Sequence, residues 1–161
     1  MTALAKYSFN ETDGTTSLNA LGQKVEVKGS TWQYTKANAT IPAFSLCYIL
    51  ADGTMSLATP ALLTTTKPTE VVIPQCSFAN GDFGYAARGP FQLREDNVTT
   101  FRVLANASAA SVVMYGIAAT PGTVDDAVVT PIIQGLTLSA AQAGASIATA
   151  CVATRALGTT S

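Results

Sequence analysis

The 161-residue sequence contains no histidine. Histidine is the most frequent general base and metal ligand in proteins, and it activates the nucleophile in Ser-His and Cys-His pairs. The motifs GxSxG, GxGxxG and GxxxxGKS/T, which mark nucleophile elbows, dinucleotide sites and phosphate loops, are absent as well. We therefore expect a protein that is not an enzyme and that takes neither a cofactor nor a small-molecule substrate.

The sequence also has little charge. Charged residues make up 12% of the chain, against about 25% in a typical soluble domain. Nine basic and ten acidic residues give a net charge of -1. The chain therefore offers no electrostatic attraction to nucleic acid or to an anionic lipid surface. Every apolar run is interrupted well before the roughly 20 residues that span a bilayer. These features predict no nucleic-acid partner and no membrane partner.

Cysteine is rare and its spacing is uninformative for metal binding. Cys47, Cys76 and Cys151 are odd in number, form no CxxC pair and lie in or beside apolar segments. A structural zinc would need four Cys or His ligands. The predicted state is therefore a buried thiol. The opening MTALAKYSFNETDG lacks the apolar core of a signal peptide, which predicts synthesis and use in a cytoplasm.

What the sequence does contain is a series of short segments typical of strands. They are four to seven residues long and are bounded by Gly, Pro, Asn, Asp or Ser. The dipeptide Asp52-Gly53 predicts a hairpin with a two-residue primed turn. One stretch, residues 139–145, has the composition of a short helix. The predicted strands are residues 24–28, 46–50, 55–58, 71–74, 83–88, 101–105, 111–115, 128–133 and 147–153.

This spacing of strands predicts an all-β fold, a single β-sandwich or jelly-roll-like barrel over residues 23–161. Residues 1–22 are rich in Thr, Asn and Ser and are predicted to form an extended N-terminal arm. Terminal disorder is the alternative for this arm. The alternation of Tyr7 and Phe9 instead favours an arm that contacts a neighbouring surface.

Two groups of residues have weak chemical signatures. Asp125 and Asp126 could act as the acid and base of a glycoside hydrolase, although adjacent residues on a strand point to opposite faces. Three neighbouring residues with side-chain oxygens suggest a calcium site, although they lack the spacing of a known calcium-binding loop. These ligands are Asn10, Glu11 and Asp13. For both groups, solvated turn residues are the favoured interpretation.

Trp32 and Tyr34 alternate in TWQYT and form the one candidate for the exposed aromatic platform of a carbohydrate-binding module. A half-buried packing stripe on one strand face is the favoured interpretation.

Residues 80–97, NGDFGYAARGPFQLREDN, concentrate charge and aromatic side chains between turn residues. We expect a rigid, glycine-shaped hairpin or bulged strand pair. Arg88 and Arg94 are predicted to make charge-assisted contacts at an interface, where arginine is favoured, or to be solvated. The aromatic side chains are predicted to pack the domain or a subunit neighbour, and they are Phe83, Tyr85 and Phe91.

The order of three segments, 37–59, 81–93 and 132–154, resembles small decoration or cement proteins of tailed-bacteriophage capsids. The middle segment, GDFGYAARGPFQL, is similar to an aromatic, Gly, aromatic, short strand, Gly-Pro pattern in those proteins. It departs from that pattern in having Tyr85 where Trp is commoner and Arg88 before the Gly-Pro pair.

The resemblance implies a protein made in the host bacterial cytoplasm and placed on the outer capsid surface of the virion. It implies a homotrimer that bridges copies of the major capsid protein and stabilises the shell against internal DNA pressure. Two other classes remain open from the sequence. One is a carbohydrate- or receptor-binding β-sandwich module of a phage tail or fibre. The other is a hydrolase that uses the two adjacent aspartates.

Overall fold

The protein has an all-β fold, as the sequence predicts, and its described residues form thirteen short strands. The computed structural model describes residues 9, 11–59, 61–62, 70–92, 100–116, 120–127 and 132–160. The strands form two sheets, each curled toward a barrel, which places the fold in the β-sandwich or barrel class. Six strands form the first sheet: β1 Lys24–Val27, β2 Ser30–Ala37, β3 Cys47–Ile49, β4 Thr54–Leu57, β5 Val71–Val72 and β6 Phe83–Ala87.

Strand β2 is the centre of the first sheet. The sheet has the order β1-β2-β4-β3-β5, and β6 pairs with β2 outside this path. β2 pairs antiparallel with β1 and β6, and parallel with β4. Alternate residues of a strand face opposite sides, and most residues of β2 are buried whichever side they face. The strand is therefore enclosed on both sides.

The second sheet contains the remaining strands in the order β11-β12-β7-β9-β8-β10-β13. β10 and β11 are joined by a short turn, yet they lie toward opposite ends of this order. The sheet must curl for one short turn to connect them, and this brings its two ends together. Its strands are β7 Phe101–Ala105, β8 Met114–Gly116, β9 Val124–Asp125, β10 Ile132–Ile133, β11 Leu136–Leu138, β12 Ile147–Ala153 and β13 Thr159–Thr160.

One apolar core joins the two sheets. Buried side chains from β2, β6, β7, β11 and β12 belong to the same cluster. A smaller cluster, which includes Ile41, Met55 and Phe78, packs on the other side of the first sheet. Because β2 contributes to both clusters, it lies at the centre of the packing as well as of the sheet.

The hairpin predicted at Asp52-Gly53 is confirmed, with a different turn. β3 and β4 pair antiparallel, but the loop has three residues, because Leu50 donates to Thr54 across its base. Gly53 has a φ of 83° and occupies the left-handed position of this loop. The Asp52 side chain accepts hydrogen bonds from the backbone N–H and hydroxyl of Thr54, which fix the turn.

Two local predictions are wrong. Residues 139–145 form bends and an isolated bridge between Gln142 and Ser108, and no helix. The Gln142 amide donates to backbone carbonyls nearby and holds this loop open. The predicted hairpin at residues 80–97 is not formed in its described part. β6 pairs with the much earlier β2 instead of with a strand that follows it.

The described part of the predicted N-terminal arm is attached to the first sheet. Asp13 N–H donates to the Phe83 carbonyl, and Phe83 N–H donates to the Gly14 carbonyl, both at 2.8 Å. The Tyr34 hydroxyl donates to the Asp13 carboxylate at 2.7 Å. The boundary between arm and domain stays a prediction, since residues 1–8 and 10 lie outside the described residues.

Candidate interaction surface

Most of the predicted interface aromatics lie inside the chain. Phe9 stacks on Trp32 with ring centroids 4.3 Å apart and meets the edge of Tyr85 at 5.2 Å. Phe91 stacks on Phe101 at 4.5 Å. Of the two roles predicted for Tyr85 and Phe91, packing the domain and packing a neighbour, the structure shows the first. Phe9 belongs to the same core.

Trp32 and Tyr34 do not form an exposed aromatic platform. Both side chains are 0% exposed, with Trp32 packed against Phe101 and Tyr34 against Tyr85. They form the predicted packing stripe, buried more fully than the sequence indicates. Phe83 is half-buried at the edge of this cluster, and the Lys36 ammonium lies 5.3 Å from its ring centroid.

Arg88 lies in a polar cluster at the end of β6. Its guanidinium is 3.6 Å from the Glu70 carboxylate, which also accepts hydrogen bonds from Lys24 at 2.6 Å and from the Gln33 amide at 3.0 Å. Arg88 is therefore a partly buried member of an internal ion cluster, and its role at an interface stays a prediction. Two further predicted interface residues, Tyr7 and Arg94, lie outside the described residues.

The environment of Glu70 favours its ionised form. Partial burial raises the pKa of this carboxyl, but the hydrogen bonds from Lys24 and Gln33 lower it, as do the charges of Lys24 and Arg88. The net effect is a pKa below the ordinary value of 4.5. The cluster is thus a stabilising feature of the fold, and Glu70 is not a poised acid.

The glycine-proline stretch of the sequence links the two sheets. Arg88 N–H donates to the Thr31 carbonyl of the first sheet, and the Arg88 carbonyl accepts from Leu157 N–H, which lies between β12 and β13 of the second sheet. Phe91 N–H donates to Ala153 at the end of β12. Gly89 has a φ of 86°, and a Cβ there would collide with the carbonyl oxygen of Arg155. This stretch, residues 88–91, is a structural connection.

Both adjacent aspartates accept hydrogen bonds from the backbone, Asp125 within its own turn and Asp126 from another loop. The Asp125 carboxylate accepts from Ala127 N–H at 2.7 Å, and that of Asp126 accepts from Ala109 N–H at 2.7 Å. The Asp13 carboxylate accepts from a tyrosine hydroxyl. Within the described ranges, no three His, Cys, Asp or Glu side chains are grouped so as to hold a metal ion. Asn10 of the weak calcium signature lies outside those ranges.

The surface carries large apolar side chains that the sequence analysis did not identify as site residues. Leu18 is 63% exposed, on the loop that leads into the first sheet. Two adjacent valines are exposed just before β8, and two further residues are exposed on β12. Among the residues that the structure describes, the set is Leu18, Leu21, Val112, Val113, Ile147 and Val152. Such side chains are available for contact with another apolar surface.

The outer face of β12 is built from small and apolar side chains. Val152 is exposed there, and Ala148 and Ala150 are half-buried on the same side of the strand. The partners across the sheet are Leu104 beside Ala148 and Arg102 beside Ala150. Alternation along β12 could have identified this face, because Thr149, which faces the other way, is buried.

A shallow, mostly apolar depression lies where the two ends of the curled second sheet come together. Its volume is about 260 Å³. Its lining includes Val113, Ile132, Leu136 and Thr137, together with the charged residue Arg155. It is formed because β10 turns directly into β11 without pairing with it.

No protein-family model, curated protein or solved structure matches this chain. Among the described residues, no helix is long and apolar enough to cross a bilayer. The function of this chain must therefore be inferred from the side chains at its surface. They offer apolar contact and a few arginines, an arrangement suited to association with another protein.

Proposed function

We propose that this protein decorates the outer surface of a tailed-bacteriophage capsid, where it bridges copies of the major capsid protein and stabilises the shell. The observation that carries the proposal is a weakly charged surface bearing exposed leucines and valines on a densely packed β core. A rigid core presents such side chains in fixed positions, which lowers the entropy lost on docking. The resemblance of segments 37–59, 81–93 and 132–154 to decoration proteins supports the same role.

The energetics of docking favour several copies acting together. A copy that buries about 1,000 Å² of its surface, a little over half of it apolar, gains about 14 kcal/mol at about 25 cal/mol/Å². Association costs an estimated 4 to 15 kcal/mol in lost translational and rotational freedom. A trimer loses that freedom once for three sets of contacts. The proposal therefore includes a homotrimer.

The test is binding of the purified protein to capsid shells made without it. Expanded and unexpanded shells are incubated with the protein, sedimented and analysed for bound copies per capsid subunit. We expect saturable binding to expanded shells and little binding to unexpanded ones, since expansion creates the lattice that a cement protein bridges. Absence of binding to either form would contradict the proposal.

The carbohydrate-binding alternative loses its structural basis at Trp32 and Tyr34, because both aromatic rings are enclosed. A glycan array checks the alternative directly. Specific glycan binding, combined with no binding to shells, would favour a tail or fibre module over a capsid protein.

A further inference from the structure

The depression between β10 and β11 has one charged residue in its lining, Arg155. The guanidinium forms no ion pair with any described carboxylate, and no acidic side chain lines the depression. Its other polar groups include the hydroxyls of Thr137 and Thr154. Among the described residues, the site therefore combines apolar side chains with two threonines and with an arginine that pairs with no carboxylate.

Arg155 packs against two glycines. A Cβ at Gly135 would lie 2.8 Å from Cγ and 3.3 Å from Nε of Arg155, so the arginine side chain lies directly over this glycine. On the other side, the Arg155 carbonyl packs against Gly89. Thr154 N–H donates to the Gly135 carbonyl at 3.3 Å, which ties the arginine segment to the turn between β10 and β11. The Arg155 residue is exposed, so its guanidinium is available to a partner.

The geometry points to this depression as the docking site for a polypeptide segment of the capsid subunit that carries an apolar side chain next to a carboxylate. The apolar side chain would lie against Val113, Ile132 and Leu136, and the carboxylate would accept hydrogen bonds from Arg155. This inference rests on the proposed function and names the contact through which the shell is recognised.

The size and charge of the site favour a protein segment over other ligands. At about 260 Å³ the depression is smaller than the roughly 300 to 1,000 Å³ of small-molecule sites, and it is open to solvent. One arginine on a chain of net charge -1 is too little positive charge for a nucleic-acid backbone. A protein segment with an acidic residue beside an apolar one would complement both the positive charge of Arg155 and the apolar side chains of the depression.

The experiment measures binding of the full-length protein to expanded shells made without it, using two matched pairs of variants. Val113→Asp is compared with Ala107→Asp, because Ala107 is exposed but neither lines the depression nor belongs to the exposed apolar side chains on which the proposed docking rests. Arg155→Ala is compared with Arg102→Ala, whose exposed side chain lies on β7 away from the depression. Circular dichroism confirms that each variant is folded.

We expect Arg155→Ala to weaken shell binding about 10-fold to 100-fold, as the loss of a charge-assisted hydrogen bond implies. Val113→Asp should weaken it at least about 10-fold, because it places a charged group against the partner's apolar side chain and adds repulsion toward the partner's carboxylate. Both controls should remain within about twofold of the wild type. Added salt should weaken wild-type binding more than that of Arg155→Ala, since screening acts on the charge that this variant lacks.

Each alternative outcome contradicts the docking site, the capsid role, or the choice of the capsid subunit as the partner. If the wild type binds shells and all four variants bind equally well, the inference is wrong while the capsid role stands. If the wild type does not bind shells, both are wrong. If Val113→Asp or Arg155→Ala converts an oligomer into monomers in light scattering, the occupant is a second copy of this chain and the assignment to the capsid subunit is wrong.

Discussion

Trp32 of β2 and Phe101 of β7 meet across the interior with their ring centroids 5.4 Å apart, and this contact joins the two sheets. Phe9 covers the other side of the Trp32 ring, and Phe91 stacks on Phe101. The aromatic residues that the sequence suggested for an interface are thus largely the internal connection between the sheets.

Replacing Trp32 with alanine is expected to lower the free energy of unfolding by about 3 to 5 kcal/mol, the usual cost of removing a large buried aromatic. The measurement is urea unfolding followed by circular dichroism. Val152→Ala on the exposed face of β12 is the control, with an expected change within about 0.5 kcal/mol. A loss below about 1 kcal/mol for Trp32→Ala would contradict the central position of this ring.

Gly89→Ala is expected to destabilise the fold more than Gly81→Ala. Both glycines have positive φ angles, 86° and 89°, so each alanine carries a backbone cost of about 1 to 2 kcal/mol. The Cβ at position 89 would additionally collide with the Arg155 carbonyl, whereas nothing lies within 4 Å of a Cβ at position 81. Thermal unfolding of both variants measures the difference, and equal midpoints would show that residues 88–91 do not connect the sheets tightly.

The Glu70 cluster predicts a specific loss of stability in acid. The pKa of Glu70 in the folded protein is below its ordinary value of 4.5, so ionised Glu70 stabilises the fold above pH 4.5. This contribution is lost as the pH falls from 4.5 through the lower folded pKa. Glu70→Gln should therefore make the free energy of unfolding less dependent on pH in this window.

Urea unfolding at several pH values below neutrality measures this dependence. Glu26→Gln is the control, because Glu26 is an exposed residue of β1 outside the cluster with Lys24 and Arg88. If Glu70→Gln leaves the slope of stability against pH unchanged, the cluster does not hold the pKa of Glu70 down.

The three thiols are expected to differ in reactivity. Burial raises the pKa of Cys151 to about 12 and that of Cys47 further still, so neither forms appreciable thiolate near neutral pH. Cys76 is half-buried, whereas the other two cysteines are buried. Alkylation with iodoacetamide, followed by mass spectrometry, should modify Cys76 first and the other two after unfolding. Rapid native-state labelling of Cys47 would show that the core opens readily.

The sequence predicts the all-β class and the strands whose residues alternate or are bounded by turn residues. β7 and β12 have the predicted bounds, because each combines β-branched or aromatic residues with a change of composition at both ends. β2 is the central strand but is missing from the predicted strand ranges, and only the alternation of Trp32 and Tyr34 indicates a strand there. Buried positions on both faces remove the alternation by which a half-buried strand is recognised.

The candidate site was harder to predict than the fold. Alternation in residues 83–88 identifies a strand but does not show that its partner is β2, because pairing depends on contacts distant in sequence. The depression at Arg155 unites side chains from positions 113, 132–137 and 154–155. Only the curl of the second sheet brings these segments together, and no local pattern encodes it.

The central claim is that this protein occupies the outer surface of a phage capsid. Electron microscopy of purified virions, with and without this protein, tests that claim most directly. The account predicts ordered density for the protein between capsid subunits on the outer surface, absent from particles that lack it. Identical maps from the two preparations, or density confined to the tail, would contradict it.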